Sequence, residues 1–319
     1  MGNTTETILA DADGIARAAE ILRGGGLVAV PTETVYGLAA RADSAEAVAR
    51  IYAAKGRPDF NPLIVHVRDI EQAEGIAKFD TVDARLLADF GWPGPLTLVL
   101  PLQPDAQITA AVTAGLSTVA LRVPKHPVMR QLLSLIDFPL AAPSANRSGF
   151  ISPTHPGHVL ESLAGRLDLI LDGGTCARGV ESTIVAVRPD RQWVELRPGP
   201  FDLQNQHDVW YDDTSKPRPI PYTGSTIEAP GQLESHYSPG KPVRLNARAP
   251  EFDEFMIGFA EIGGQYNLSE AADINLAAAR IYEALHLAAQ SDKPRIAVAP
   301  IPEKGIGRAI NDRLKRAAA

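Results

Sequence analysis

Apolar residues recur at helical spacing from Asp13 to Arg23 and stop at Gly24-Gly25-Gly26, after which Leu27-Val28-Ala29-Val30 forms a short buried-type strand. That is a helix feeding a strand. The order then repeats. Helix patterns over Ala45–Ala54 and Thr81–Phe90 alternate with strand patterns at Leu63–Val67 and Leu96–Leu100. Further strands follow at Val119–Val123, Leu140–Ala142, Leu167–Leu171, Ser182–Val187 and Trp193–Arg197. No fixed-period repeat accompanies them, so the pattern predicts an α/β unit with a mixed sheet ending near Pro200.

At 319 residues the chain exceeds what a single hydrophobic core usually organises. The periodicity fades between Phe201 and Pro242, where Pro217, Pro219, Pro221, Pro230 and Pro239 punctuate a polar stretch. That stretch is either a flexible tether or a segment with a task at the first unit's surface. Beyond it, strand patterns at Glu254–Gly258 and Arg295–Ala299 flank a long amphipathic helix over Asp273–Ala289. Gly305-Ile306-Gly307 lacks the third glycine of a dinucleotide turn and reads as a helix start. The expected division is 1–203, a linker or lid over 204–241, and a small α/β unit over 242–319.

Composition excludes several function classes. Lys and Arg number 31 against 38 Asp and Glu, a net charge of -7, which argues against broad direct binding to nucleic acid or anionic membrane. The single cysteine, Cys176, rules out an internal disulfide and a cysteine-based zinc site, and fits a reducing, cytoplasmic setting. Residues Met1 to Asp13 carry acids and no apolar run, so neither a signal nor a transit peptide is expected. No stretch approaches the roughly 20 apolar residues that cross a bilayer.

No P-loop, Gly-x-Ser-x-Gly elbow or His-Glu-x-x-His string occurs. Instead, polar strings sit at the ends of the apolar strands, where open α/β sheets hold ligands. Lys55-Gly56-Arg57-Pro58 places two cations on a turn, since Pro58 disfavours the α region for Arg57. A guanidinium fork and a mobile ammonium suit phosphate oxygens, although a solvated turn would look the same. Pro31-Thr32-Glu33-Thr34 gathers hydroxyls and a carboxylate, as a capping turn also would. His66 stands in an apolar strand, as either a site residue or a satisfied core histidine. Ser144-Ala145-Asn146-Arg147-Ser148-Gly149 is denser in polar groups than a turn requires, and Ser182-Thr183 and Arg197 bracket an expected hairpin.

In order and spacing, Thr32-Glu33-Thr34-Val35-Tyr36-Gly37-Leu38, Lys55-Gly56-Arg57-Pro58, Asn61-Pro62-Leu63, Ser144-Ala145-Asn146, Ser182-Thr183-Ile184 and Arg197-Pro198-Gly199 resemble the YrdC-like threonylcarbamoyl-AMP synthases. His236-Tyr237-Ser238-Pro239 and a second small unit are similar to the two-domain, Sua-type branch. Residues 243–319 carry no comparable motif, so that part of the likeness rests on architecture.

The resemblance implies a twisted open mixed sheet around a positively lined cavity, followed by a linker and a small Rossmann-like α/β domain. It implies synthesis of threonylcarbamoyl-adenylate from L-threonine, bicarbonate or CO2, and ATP, with pyrophosphate released. The product would pass to a tRNA-modifying threonylcarbamoyl transferase complex that makes N6-threonylcarbamoyladenosine. Carried across position by position, it gives Lys55 and Arg57 catalytic roles at the phosphates. Thr34, His66, Arg122, the backbone at Ala142, and Ser182 would contact threonine. Arg57, Asn61, Thr118, Ser144, Asn146, Ser152, Arg197 and the lid residue Tyr237 would contact ATP. Mg2+ would ride mainly on the phosphates, with no protein metal ligand. Two readings compete. A non-catalytic RNA- or ribosome-associated factor would use the same cavity for a phosphate backbone, against which the acidic balance and 6% aromatic content stand. A carbamoyl-transfer enzyme with another acceptor would need a further metal or hydrolase domain.

Overall fold

The structure, a computed structural model, describes residues 4–188, 192–205, 219–224 and 227–319. Parts of the expected linker, Pro217 among them, lie outside these residues. The first helix, α1 (Ala12–Arg23), is capped by Asp11, whose side chain accepts from the Gly14 amide. It buries Ile15, Ala18, Ala19 and Leu22 and feeds β2 (Val28–Val30). In α2 (Ala45–Lys55) Ser44 is the cap, and Gly56 ends the helix in the left-handed region at φ 58°. A side chain other than glycine would be strained there, so the motif's glycine stops the helix between its two cations.

Among the described residues the large sheet runs β1-β8-β2-β3-β7-β4-β6-β5-β9-β10-β11. Its strands are β1 (Glu6–Leu9), β2, β3 (Gly37–Arg41), β4 (Ile64–His66), β5 (Leu96–Pro101), β6 (Thr118–Arg122), β7 (Leu140–Ala141), β8 (Leu169–Asp172), β9 (Thr183–Val187), β10 (Trp193–Arg197) and β11 (Ile220–Pro221). Parallel pairs such as β4/β6 and β5/β9 mix with antiparallel pairs such as β2/β3 and β9/β10. Both faces are covered. Along β2, Ala29 packs with Leu38, Val48 and Ile51, whereas Val28 and Val30 pack on the other face with Ile15, Leu22, Met129 and Leu132. A strand buried on both faces reads as a continuous apolar run, which is why Leu27–Val30 shows no alternation.

The structure adds elements that the sequence patterns did not single out. Gly37–Arg41 is a strand, so Pro31–Tyr36 links the antiparallel pair β2/β3. After α3 (Ile70–Glu74), α4 (Val82–Gly91) and α5 (Ala110–Thr113), helices α6 (Pro127–Ser134) and α7 (Pro156–Leu163) each start on a proline after a capping histidine, His126 or His155.

The second sheet, β12 (Val243–Arg244), β13 (Glu254–Gly258), β14 (Tyr266–Asn267) and β15 (Arg295–Val298), is parallel throughout in the order β12-β15-β13-β14. Two helices pack on it, here α8 (Ile274–Gln290) and α9 (Gly307–Ala317). Asp273 caps α8 by accepting from the Asn275 and Leu276 amides. Ile257, Ile281, Leu285, Val298, Ile310 and Leu314 form the core, and Val35, Ile151 and Val180 of the first unit pack into it. The linker also touches the first unit. Ile220 pairs with Val194 as the edge strand β11, and Ser238 bridges to Phe150.

Candidate active site

Strand ends and the loops beyond them converge on one cavity. The β4/β6 register sets His66 beside Arg122 at the carboxyl ends of two parallel strands. The loop after β2 brings Thr34, that after β7 brings Ala142 and Ser144, β9 begins one residue after Ser182, and β10 ends on Arg197. The linker closes the mouth with Pro230, Gly231, His236 and Tyr237. In this arrangement the free interior volume is ≈ 40 Å³. That holds a few waters, far below the several hundred Å³ of a typical ligand pocket, so the walls as they stand are closed around the site.

Each wall residue is held by partners. Arg122 donates from Nη2 to Glu33 Oε1 at 2.6 Å, from Nη1 to Thr34 Oγ1 at 3.0 Å and from Nε to the Gly94 carbonyl at 3.2 Å. The second Glu33 oxygen accepts the Lys125 and His126 amides. Burial raises the Glu33 carboxyl, but Arg122 and these amides outweigh it and hold the group below its ordinary value. Arg57 donates to the Asn61 side chain at 2.6 Å and to the Pro62 carbonyl at 2.9 Å. Arg197 donates to both Ser182 Oγ and Ser182 O at 3.1 Å, and to the Pro230 carbonyl of the linker at 3.3 Å. Ser182 Oγ also lies 2.8 Å from Thr97 Oγ1.

His66 is buried, with its pKa lowered to about 3 chiefly by desolvation and then by Arg122, so its ring is neutral near pH 7. Its Nδ1 has no hydrogen-bond partner. The Tyr237 hydroxyl, the Asn61 amide nitrogen and the Asn146 amide oxygen are likewise buried without one. Unpaired polar atoms are costly inside a protein; of these residues His66 and Tyr237 line the cavity, where a polar ligand could pair with them. Tyr237 itself is 1% exposed and sits at φ 64°. At Gly231, φ 86°, an added Cβ would come 2.9 Å from the Tyr237 hydroxyl and 3.0 Å from Arg197 Cδ, so only glycine lets the linker approach so closely.

All the expected threonine contacts, Thr34, His66, Arg122, Ala142 and Ser182, line this cavity. Of the expected nucleotide contacts, Arg57, Ser144, Arg197 and Tyr237 line it. Lys55, Asn61, Asn146 and Ser152 are buried but are not among its lining residues, and Thr118 stands at the end of β6 away from Arg122. Lys55 Nζ donates to the Ser144 and Asn146 carbonyls at 2.6 and 2.5 Å, and burial, then Arg57, drives its pKa well below the ordinary lysine value. Asn146 ties its amide to the Arg147 and Phe150 carbonyls, and Ser152 donates to Glu181 at 2.5 Å. Thr118 opens β6 opposite Pro101, partly exposed. The two cations of Lys55-Gly56-Arg57 therefore diverge: Arg57 faces the cavity, and Lys55 braces the loop that carries Ser144.

The sequence reading passed over Glu33 and Glu181 as site residues, along with Tyr282 and Arg313 from the second unit. Glu181 lines the cavity and accepts from Tyr282 at 2.8 Å and from Arg313 Nε at 3.0 Å. Glu33 stood in a string noted for its hydroxyls and its carboxylate, and Glu181 directly precedes the Ser182-Thr183 pair, but their arginine partners lie far off in sequence. No metal-ligating cluster of three or more His, Cys, Asp or Glu side chains occurs among the described residues. Nor is any described helix long and apolar enough to cross a membrane. Three convergent arginines beside a neutral histidine suit binding of an anionic, phosphate-bearing ligand together with a carboxylate.

Comparison with known proteins agrees with that chemistry. Residues 20–199 match the Sua5/YciO/YrdC family model, described as "Telomere recombination", and residues 204–319 match "Threonylcarbamoyl-AMP synthase, C-terminal domain". The threonylcarbamoyl-AMP synthase of Bacillus subtilis (strain 168) is 39% identical, over 95% of this chain and 92% of that protein. That of Pyrococcus abyssi is 38% identical, over 94% and 92%. The crystal structure of P. abyssi Sua5 complexed with L-threonine superposes with a TM-score of 0.87 at 34% identity, covering 99% of this chain and 97% of that one. E. coli YciO, at 23% identity and a TM-score of 0.53 over 62% of this chain, shares the fold. With both units matched and relatives at 38–39% identity covered over most of their length, the chain belongs to the threonylcarbamoyl-AMP synthase family, in its two-domain branch.

Proposed function

We propose that the chain is an L-threonylcarbamoyl-adenylate synthase, a nucleotidyltransferase that joins L-threonine, bicarbonate or CO2, and ATP, and releases pyrophosphate. The observation that carries this reading is the convergence of Arg57, Arg122 and Arg197 on one cavity with the neutral His66. The threonine amine attacks CO2 and loses a proton, or attacks bicarbonate with loss of water, to give a carbamate. A carbamate oxygen then attacks the α-phosphorus of ATP, and the α–β bond breaks with its electron pair leaving on pyrophosphate. Neither step needs a covalent enzyme nucleophile. Positioning and charge neutralisation suffice, and positioning alone is worth roughly 7–11 kcal/mol.

In this reading Arg122 meets the threonine carboxylate, with Thr34, His66, Ala142 and Ser182 around it. Arg57 and Arg197 meet the phosphates. Lys55 serves by holding the 144–146 backbone, and Asn61, Thr118, Asn146 and Ser152 shape the nucleotide end. Glu33 and Glu181 are both paired with arginine, so the cavity offers no open carboxylate for a metal, a donor set that fits Mg2+ carried on the triphosphate. Such an ion would offset phosphate charge. Residues 204–241 act as the lid between a synthase unit, 1–203, and a small unit, 242–319. Closure of that lid keeps water from a labile carbamate and a mixed anhydride. A tRNA-modifying threonylcarbamoyl transferase complex would consume the product. The lone buried Cys176 suits a cytoplasmic protein.

Incubation with labelled bicarbonate, threonine, ATP and Mg2+ tests the proposal. Threonine-dependent pyrophosphate release with label in an adenylate supports it, and threonine-independent release overturns it in favour of another acceptor.

A further inference from the structure

The cavity wall mixes signs. Arg57, Arg122 and Arg197 face a ligand whose phosphates need positive charge, yet Glu181 lines the same space. Arg122 is cancelled by Glu33. Left alone, the Glu181 carboxylate would cancel half of what Arg57 and Arg197 offer, in a region where burial makes each charge count for more.

The second unit supplies the counter-charge. Arg313 on α9 is fully buried, with Nε 3.0 Å from Glu181 Oε2, and it donates to the Pro198 carbonyl from Nη1 at 2.8 Å. Tyr282 on α8 donates to both Glu181 oxygens, at 2.8 and 3.1 Å, and Ser152 donates to Oε1. Behind Arg313, Asp312 lies 2.8 Å away and is itself paired with Arg316 at 3.1 Å, so the row Glu181, Arg313, Asp312, Arg316 alternates in sign and sums to zero. The other ionisable groups facing Glu181 are Arg197, His236 and Tyr237. With Arg313 in place, Arg57 and Arg197 remain as net positive charge on the wall.

We infer that Arg313, positioned with Tyr282 by the second domain, neutralises Glu181 so that the synthase cavity presents uncancelled arginine charge to a polyphosphate. Arg313 is a positioning residue, since it acts on the ligand through Glu181. This gives the second domain an electrostatic task, and it rests on the reading of the cavity as an ATP site.

The test is calorimetric binding of Mg-ATP and of adenosine to the full chain, because adenosine shares the base and sugar but carries no charge. In Arg313→Met, ATP affinity should fall by about ten-fold or more while adenosine affinity moves by less than about two-fold, the asymmetry that one uncompensated buried charge produces. Adding Glu181→Gln to that variant should return ATP affinity to within about three-fold of the parent. Equal weakening of ATP and adenosine, or a double variant as weak as Arg313→Met, would show a merely structural role and overturn the inference. Should Arg313→Met fail to fold, the double variant and Arg313→Lys, which keeps the charge, decide by the same criterion. A parent protein that binds neither ATP nor threonine would fail the functional reading instead.

Discussion

Arg122 and Glu33 form a buried ion pair at 2.6 Å, with side chains only 4% and 12% exposed, so the guanidinium that would meet a substrate carboxylate is already held in place. Fixing it beforehand costs rotamer freedom during folding rather than during binding. Glu33→Gln should therefore raise the threonine KM by about ten-fold or more and destabilise the fold by roughly 3 kcal/mol, because Arg122 is left buried without its counter-charge. Urea unfolding together with threonine titration of pyrophosphate release checks both, and an unchanged KM would remove Glu33 from the site.

Arg57 and Lys55 should fail differently. Arg57→Ala removes a wall cation and should abolish pyrophosphate release in a folded protein. Lys55→Met should lower turnover by loosening the 144–149 loop, since Lys55 holds the Ser144 and Asn146 carbonyls and its own carbonyl accepts the Ser148 amide. Hydrogen exchange would show faster loss of protection at residues 145–150 in Lys55→Met. Near-normal turnover in either variant would withdraw the role given to that residue.

Tyr237 fills the cavity mouth, and its hydroxyl has no partner. Tyr237→Phe should therefore leave unfolding stability within about 0.5 kcal/mol of the parent, since no hydrogen bond is lost. Tyr237→Ala removes the ring stacked 5.8 Å from Tyr282 and should weaken nucleotide retention about ten-fold. Stopped-flow release of a fluorescent ATP analogue measures this, and an unaltered off-rate would reduce Tyr237 to a packing residue.

Acid should loosen the joint between the units. His158 on α7 and His286 on α8 stack at 3.8 Å, and desolvation lowers both to about 4 from an ordinary 6.5. Below pH 6.5 the unfolded chain takes up protons that the folded chain refuses, so stability falls with pH until about 4, where the folded rings also protonate. Each ring contributes a slope of at most about 1.4 kcal/mol per pH unit. His66 and His236, both lowered to about 3, act in the same direction. Glu181, held at about 2 despite burial, loses its contribution only at lower pH still, from below the ordinary 4.5 towards 2. Urea midpoints at pH 7, 5.5 and 4.5 should fall in step, and His286→Gln should flatten the decline; a pH-independent midpoint would refute this.

Local chemistry was legible wherever it is written in consecutive residues. The helix stops at Gly24 and Gly56, the apolar strands β2 and β5, and the polar strings at strand ends all follow from spacing and side-chain type. The α/β class and the two units follow from those same signals. Gly37–Arg41 was not legible as a strand, because its pairing with Val28–Val30 and Leu140–Ala141 is what makes it one. Helices α6 and α7 are short, and their starts rest on histidine caps, which are weak signals in a string.

The sequence by itself determined that an α/β unit would carry phosphate-suited cations and hydroxyls at its strand ends, since periodicity and turn residues act over a few positions. Tertiary structure alone decided which charges face the ligand. Whether Lys55 or Arg57 points inward, and whether Glu33 and Glu181 add to the wall's charge or vanish from it, depends on Arg122 and Arg313, 89 and 132 residues away from their partners. Electrostatic cancellation is a matter of distance in space, and distance along the chain does not contain it.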